Sequence, residues 1–352
     1  MAEKTRDVIV GADTHKGFHA IAVISMTGER LGWMYVEAKA KGYSQALEWA
    51  RSFGTVVKAG IEATGSYGAG ICACLRKHGI EVWDVYAPDR QKRYRRGKHD
   101  AEDAFQAAEA ALGHTRCAQA KEGGGLLQAA QLLEMAYGQA KKQRTATVNA
   151  LKAAVVALPD HMRERLGGLK TGELVERCAG FRMPEDDLGL EAGIKTALRS
   201  LARRIQEIDK ETALLEKQIK RYAQRLAPET LSLLGVGPHS AIKLMCAAGE
   251  NIGRMKGEAS FAMLCGASPI ECSSGTNIQH RLNRGGNRQA NCALHTIAVT
   301  RLRCCEESRE FYDRKIVDGK TEMGALRALK RYIAREVFYT LKADLARLHP
   351  AA

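Results

Sequence analysis

Aromatic side chains make up only 6% of the 352 residues, so any core must be built mostly from Leu, Ile, Val and Ala. Hydrophobic residues together reach 45%, enough for packed cores, and the length points to two or three domains. No run approaches 18 consecutive apolar residues, and the opening MAEKTRDVIV lacks the apolar core of a signal peptide. The expectation is therefore a soluble, cytoplasmic protein with no membrane partner. Ten cysteines contain no C-x-x-C pair and have no histidines at zinc-ligand spacing. That excludes an obvious structural zinc and leaves thiols expected to be reduced and mostly buried. Acids are also in deficit: Lys and Arg number 54 against 40 Asp and Glu, giving +14 and a pI near 9.3. Such an excess favours polyanionic partners through phosphate neutralisation and counterion release. A basic surface with no specific partner has the same composition.

Hydrophobic periodicity divides the chain. DVIVGAD and FHAIAVIS read as strands, MTGE as a turn, and RLGWMYVEA as a third strand antiparallel to the second. Helix GYSQALEWARSF, strand TVVKAGIEA, helix YGAGICACLRKHG and strand IEVWDVYA follow, then a basic connector and an Ala-rich helix starting near Asp100. This order is that of a ribonuclease-H-like α/β domain, expected over 1–119. Residues 120–228 read as an all-α linker and coiled-coil arm. Ile194, Leu198, Leu201, Ile205, Ile208, Thr212, Leu215, Ile219, Tyr222 and Leu226 alternate steps of four and three, a coiled-coil seam with one polar member. Such an arm joins copies of the chain or packs back on its own, and Pro228 ends it. Residues 229–352 are expected to be mostly helical and to close on an amphipathic helix with a basic face. In LLGVGPHSAIKLM, Gly235 and Gly237 form a helix-hairpin-helix-like turn that offers backbone N–H groups to a phosphate. A plain packing corner has the same pattern.

Four carboxylates carry the chemical argument. Asp13 ends the first strand, Glu62 ends TVVKAGIEA, and Asp100 and Asp103 share a face of the Ala-rich helix. Each alone reads equally well as a cap or turn former. Together they occupy the first strand, fourth strand and last helix of the expected domain, which are neighbours in that fold. Mg²⁺ takes a few carboxylates with water and substrate phosphate, so the set reads as a Mg²⁺ site for phosphodiester chemistry. His15 and His19 read as hydrogen-bonded surface or core histidines rather than ligands. The connector PDRQKRYRRGKH contributes Arg93, Arg95, Arg96 and Lys98 with Tyr94 between them, suited to nucleic acid or to a solvated loop. D-T-H-K-G faintly resembles the phosphate loop of actin-like sugar kinases, but no second nucleotide-binding glycine loop accompanies it.

A second constellation lies in ASPIECSSGTNIQHRLNRGGNRQANCALH, residues 267–295. Ser273 and Ser274 precede Gly275, and Arg281, Arg284 and Arg288 follow. No Ser-His-Asp triad is evident, yet the guanidinium groups can grip a phosphate, and positive charge is one way to activate a serine. On chemistry alone, Ser-Ser-Gly is most often a turn.

Both constellations together resemble one family, the DEDD-type insertion-sequence transposases of the IS one-ten group, which are bridge-RNA-guided serine recombinases. The markers are VGADTHK, IEATGSYG around Glu62, KHDAEDA around Asp100 and Asp103, LLGVGPHSA, and CGASPIECSSG followed by RGGNRQ. Their order and distances agree with the family over nearly the whole chain. Where the family runs on into Leu-Arg, this chain has Gln289 and Asn291. The resemblance implies a RuvC-like domain whose Asp13, Glu62, Asp100 and Asp103 bind Mg²⁺. It also implies a C-terminal transposase domain whose serine attacks DNA phosphodiesters. By the family's Ser-Gly pairing that serine is Ser274, with Ser273 the other choice. It further implies donor and target DNA chosen by a bridge RNA, and a homo-oligomer (a dimer, and a tetramer on DNA) in which the acids of one protomer serve the serine of another. The alternative is a metal-dependent Holliday-junction resolvase or nuclease using water, which needs the acids alone. A non-catalytic nucleic-acid scaffold needs neither.

Overall fold

Two adjacent runs, Asp7–Thr14 (β1) and Phe18–Ser25 (β2), are buried at every position but the first, as strands covered on both faces must be. The structure, a computed structural model, describes residues 6–86, 99–182, 189–272 and 280–348. It divides into two units, Met1–Glu122 and Gly123–Ala352.

In the first unit, β1 and β2 form an antiparallel hairpin, and β3 (Arg30–Glu37) extends it through a turn in which Gly28 takes φ +86°. Then come α1 (Ala40–Arg51), β4 (Thr55–Glu62), α2 (Ala69–Lys77), β5 (Glu81–Val85), α3 (Asp100–Gly113) and β6 (Cys117–Gln119). The sheet order is β3-β2-β1-β4-β5-β6, with β4 parallel to β1, β5 parallel to β4, and β6 antiparallel to β5. The expected order of strands and helices holds up to α3. The sixth strand was not expected, because three residues are too few to show a period. Pleating sends Val8, Val10 and Ala12 to the face packed with Leu47, Ile71 and Leu75, and Ile9 to the face packed with Ala104 and Ala108.

The second unit is built around α4 (Gly125–Val156) and α7 (Leu190–Leu226). They run antiparallel: Leu127 and Ala130 share a core with Ile219, Ala223 and Leu226, while Val148, Leu151 and Val155 share another with Leu198, Ala202 and Ile205. Arg144 makes a two-pronged ion pair with Asp209 between them. The expected seam is therefore filled by the chain's own α4. Leu198, Ile205, Ile208, Thr212, Ile219 and Leu226 are buried as expected, but Ile194, Leu201, Leu215 and Tyr222 are only half-buried, and Ala202 and Ala223 are buried in addition. Two short helices, α5 (Asp160–Leu166) and α6 (Thr171–Ala179), pack at the far end of the pair.

Beyond Ala227 come α8 (Pro228–Ser232), α9 (Pro238–Ala248), α10 (Glu258–Leu264), the ribbon β7 (Ile270–Glu271) and β8 (His280–Arg281), α11 (Arg288–Cys304), α12 (Glu306–Val317) and α13 (Glu322–Leu348). The last helix is a core element, with Leu329, Ile333, Val337 and Leu341 buried against Phe261, Leu294 and Ile297. Its buried Asp344 accepts hydrogen bonds from the N–H groups of Glu229 (2.9 Å) and Thr230 (3.0 Å) and from the Thr230 hydroxyl (2.7 Å), capping α8. Among the described residues no helix is long and apolar enough to cross a membrane. All ten cysteines are free, but only Cys72, Cys178 and Cys265 are buried. The expectation of mostly buried thiols is corrected: Cys292 and Cys304 face outward on α11, and Cys272 is exposed just past β7.

Candidate functional site

Gly11 and Gly60 explain why the acids meet. A Cβ on Gly11 would fall 1.9 Å from the carbonyl oxygen of Ala104, and one on Gly60 would fall 2.0 Å from that of Ala107. Helix α3 can therefore lie in backbone contact with β1 and β4 only because both positions lack a side chain. Two residues further along each strand, on the same face, stand Asp13 and Glu62; one helical turn before Ala104 and Ala107 stand Asp100 and Asp103. A two-residue step of strand and one turn of helix advance by similar lengths, about 6–7 Å and 5.4 Å. The glycine contacts thus carry the four carboxylates to one end of the sheet. β1 and β4 are in register up to the pair Ala12–Ile61, so Asp13 and Glu62 follow side by side.

Within this set Asp13 and Asp103 are buried, at 5% and 2% exposure. The imidazole Nε2 of His15 lies 3.2 Å from Asp13 Oδ2 and 3.6 Å from Asp100 Oδ1. The ligand atoms of Asp13, His15 and Asp100 all lie within 4.8 Å of one another, the group of this kind found among the described residues. Glu62 and Asp103 are not in that group, although they stand at the same sheet end. A buried carboxylate is costly without a compensating charge, and two carboxylates converging at the positive end of α3 give a donor set that fits a hard divalent cation.

The surrounding residues sort the remaining charges. Glu102 does not join the set; it binds Arg30 with two hydrogen bonds, at 2.7 and 2.9 Å, and Arg30 also reaches Glu109 at 3.0 Å. Those bonds, Glu102's first, raise the Arg30 pKa. His99 caps α3, its Nδ1 accepting from the N–H of Ala101 at 3.2 Å. Desolvation, followed by the charges of Asp100 and Asp13, raises the Tyr35 pKa. His19 is fully buried, stacked 5.6 Å from Tyr43, and desolvation lowers its pKa. Of the residues beside the acids, sequence reasoning took His15 as a hydrogen-bonded histidine rather than a ligand and passed over Tyr35. His15 had a signal, since it lies two residues past Asp13 just beyond a strand end. Tyr35 had none, because the charge that acts on it lies on α3, far from β3 in sequence.

In the second unit, Ser273 and Ser274 lie outside the described residues, as do Arg93, Arg95, Arg96 and Lys98 of the first unit's connector. The serines belong by sequence to the connection between β7 and β8, where Ile270 pairs with Arg281. The base of that ribbon is a tight corner. Gly266 takes φ +67°, and a Cβ on Gly286 would fall 2.3 Å from the Gly266 nitrogen, so R-G-G-N must bring a glycine there. The Asn287 N–H donates to the Leu264 carbonyl, while its side chain caps α11. Asn291 donates to the carbonyls of Cys265 (2.9 Å) and Gly266 (3.1 Å).

Two clefts flank this corner. One, of about 620 Å³, is lined by Arg284, Arg288, Asn291, His295, Arg327 and Lys330 among others. The other, of about 510 Å³, includes Arg281, Lys320, Arg327 and Arg331. Arg281, Arg284 and Arg288 are therefore exposed around one basic surface. Lys330 is buried, bonded through Nζ to Asn291 Oδ1, and burial lowers its pKa. Gly235 and Gly237 flank the turn before α9. Gly235 takes φ +81° against Arg301, whose Nε donates to the Leu234 carbonyl at 2.8 Å and whose guanidinium pairs with Glu336 at 2.7 Å. A Cβ on Gly237 would meet nothing within 4 Å.

Comparison with known proteins follows the same two regions. Residues 10–158 match the family model of DEDD transposases of the IS110 type, and residues 229–313 match the model described as transposase IS116/IS110/IS902 family. A protein of the insertion element IS900 from Mycobacterium paratuberculosis, described as an uncharacterized 42 kDa protein, is 28% identical over 162 residues. The aligned stretch covers 44% of this chain and 40% of that relative's length.

Proposed function

The chain belongs to the IS110 family of transposases, and on that premise we propose that it cuts and rejoins donor and target DNA strands. Asp13, Glu62, Asp100 and Asp103 hold Mg²⁺, and Ser274 is the nucleophile. The observation that carries this reading is the meeting of Asp13, His15 and Asp100 within 4.8 Å at the sheet end shared with Glu62 and Asp103.

When bound, the cation draws charge from the scissile phosphate and the departing 3′ oxygen. Asp13 is held by burial, and His15 Nε2 lies 3.2 Å from Asp13 and 3.6 Å from Asp100, so both carboxylates are placed before the cation arrives. In the attack, Ser274 Oγ bonds to phosphorus as the bond to the 3′ oxygen breaks. The serine proton passes to a base and the 3′ oxygen takes one up. The phosphoserine ester keeps the bond energy, so the reverse attack rejoins a strand without ATP. Arg281, Arg284 and Arg288 steady the phosphate. Arg93, Arg95, Arg96, Lys98 and the turn at Gly235 and Gly237, read as helix-hairpin-helix-like, contact the nucleic-acid backbone. A bridge RNA selects both DNAs, leaving the protein to read shape and charge, and copies of the chain assemble as a dimer and, on DNA, a tetramer. In this scheme 1–119 is the RuvC-like domain and 229–352 the transposase domain.

The test is to denature a reaction containing donor and target DNA, guide RNA and Mg²⁺, and to look for DNA attached to protein. An adduct present in the wild type and absent in both Asp13→Asn and Ser274→Ala supports the proposal. Strand cleavage that persists in Ser274→Ala supports instead the water-using, metal-dependent Holliday-junction resolvase or nuclease.

A further inference from the structure

A ladder of rings leads from the carboxylates across the open edge of the sheet. His15 and Phe18 have ring centroids 5.0 Å apart, Phe18 and Tyr35 5.3 Å at 86°, Tyr35 and Trp33 5.3 Å at 89°, and Trp33 and His99 5.8 Å at 90°. The register pairs Phe18 with Glu37, Ala20 with Tyr35 and Ala22 with Trp33, which places Phe18, Tyr35 and Trp33 on one face. That face is the one α3 covers at β1 and β4; β3 is the outermost strand, and here the face is open.

Neither core of this unit includes these three rings, and Phe18, Tyr35 and Trp33 remain 42%, 47% and 43% exposed. In a chain this poor in aromatics, contiguous exposed rings mark a contact surface rather than packing. Three near-perpendicular contacts and the tilted one between His15 and Phe18, at 43°, hold the rings in place, and an edge-to-face contact covers at most one face of a ring. The ladder is also continuous with the candidate site, since His15 lies between Asp13 and Asp100. Lys16, exposed in the turn between β1 and β2, supplies a cation at the same end.

We propose that His15, Phe18, Tyr35 and Trp33 form a stacking platform for unpaired nucleobases beside the carboxylate site. The proposal rests on the nucleic-acid reading above and adds the part of the substrate recognised. Strand exchange requires bases beside the cut to leave their partners. Stacking on aromatic faces accepts any base, which suits a protein that does not itself read the sequence.

The test uses the full-length chain in a Trp49→Phe/Trp83→Phe background, so that Trp33, one of three tryptophans, is the fluorescent reporter. It is titrated with a single-stranded deoxyoligonucleotide, a ribo-oligonucleotide of the same sequence, and the deoxyoligonucleotide made abasic. The expected result is quenching of Trp33 by a base-bearing strand, with the abasic strand bound roughly 5- to 150-fold more weakly. Quenching by one of the two base-bearing strands alone assigns the platform to that nucleic acid. Read by the fluorescence anisotropy of a dye-labelled strand, because the Trp33 variants lack the reporter, Trp33→Leu and, separately, Phe18→Leu should lose affinity for the base-bearing strand, and Trp33→Phe should restore most of it. Equal affinity for abasic and base-bearing strands, or leucine variants that bind like the parent, would overturn the platform alone. So would a Trp33 already shielded from acrylamide before any strand is added, which would mean another protein surface covers the ladder. A parent protein that binds no strand at all overturns the nucleic-acid reading itself.

Discussion

Gly11 of β1 and Ala104 of α3 are in backbone contact: a Cβ on the glycine would lie 1.9 Å from the alanine's carbonyl oxygen. A backbone oxygen cannot swing aside as a side chain can, so Gly11→Ala must push α3 off the sheet. Overpacking of this kind costs about 1–3 kcal/mol, and it also separates Asp100 from Asp13. Gly11→Ala should therefore lower the melting temperature and shrink the Mg²⁺-induced rise in it. Gly17→Ala, where a Cβ meets nothing within 4 Å, should leave both unchanged. Thermal denaturation with and without Mg²⁺ checks both variants, and a normal Mg²⁺ response in Gly11→Ala would contradict the argument.

The carboxylate cluster gives a prediction of opposite signs. A cation that binds only the folded chain stabilises it by about 2.7 kcal/mol at a hundred times its dissociation constant. Asp13→Asn should abolish that gain, yet leave the metal-free protein as stable or more so, because a buried charge is removed beside Asp100. Affinity for nucleic acid should be unchanged, since phosphate is gripped elsewhere. His15→Ala separates ligand types: Mg²⁺, which prefers oxygen, should stabilise the variant as before, whereas Mn²⁺, which accepts imidazole more readily, should stabilise it less than the parent.

Ser274→Ala removes one oxygen and should remove covalent capture of DNA entirely, with RNA binding and the Mg²⁺ response intact. Ser273→Ala should retain capture. Denaturing electrophoresis of labelled DNA reads both, and normal recombination by Ser274→Ala would end the serine mechanism.

How far the chain could be read depended on the range of the interaction concerned. Strands β1 to β5 and helix α3 follow from local periodicity, although β3 buries only Val36 of its residues and shows its strand by alternation instead. Asp13, Glu62, Asp100 and Asp103 could be named because each ends or begins such an element. The cause of their convergence could not be seen: Gly11 and Gly60 matter only through a helix more than forty residues away. The same holds for Gly286, required by the backbone of Gly266, and for Asn291, a departure from the family pattern that ties α11 to that corner and to Lys330. The partner of the α7 seam was open for a related reason. Heptad spacing shows that a stripe is buried and leaves the identity of what buries it to tertiary structure.

Lys330 supplies the last prediction. It sits in the buried stripe of α13, its Nζ bonded to Asn291 Oδ1, and among the described residues no carboxylate forms an ion pair with it. Burial, the largest influence, lowers its pKa from the ordinary 10.5. Below the lowered pKa the amine is charged in both folded and unfolded chains, and the fold bears the full cost of desolvating it. As pH climbs from that value towards 10.5, the folded chain sheds the proton first and stability rises. Lys330→Met, which keeps the length and loses the charge, should thus be at least as stable at pH 7, with its advantage shrinking in alkali. Its function should move the other way. Lys330 shares its cleft with Arg284, Arg288 and Arg327, and a buried ammonium without a carboxylate is a natural counter-charge for a phosphate. If one phosphate contact is lost, the slope of log affinity against log salt should fall by about 0.9, and DNA binding should weaken at every sequence alike. An unchanged salt slope in Lys330→Met would mean that this cleft does not hold the nucleic-acid backbone.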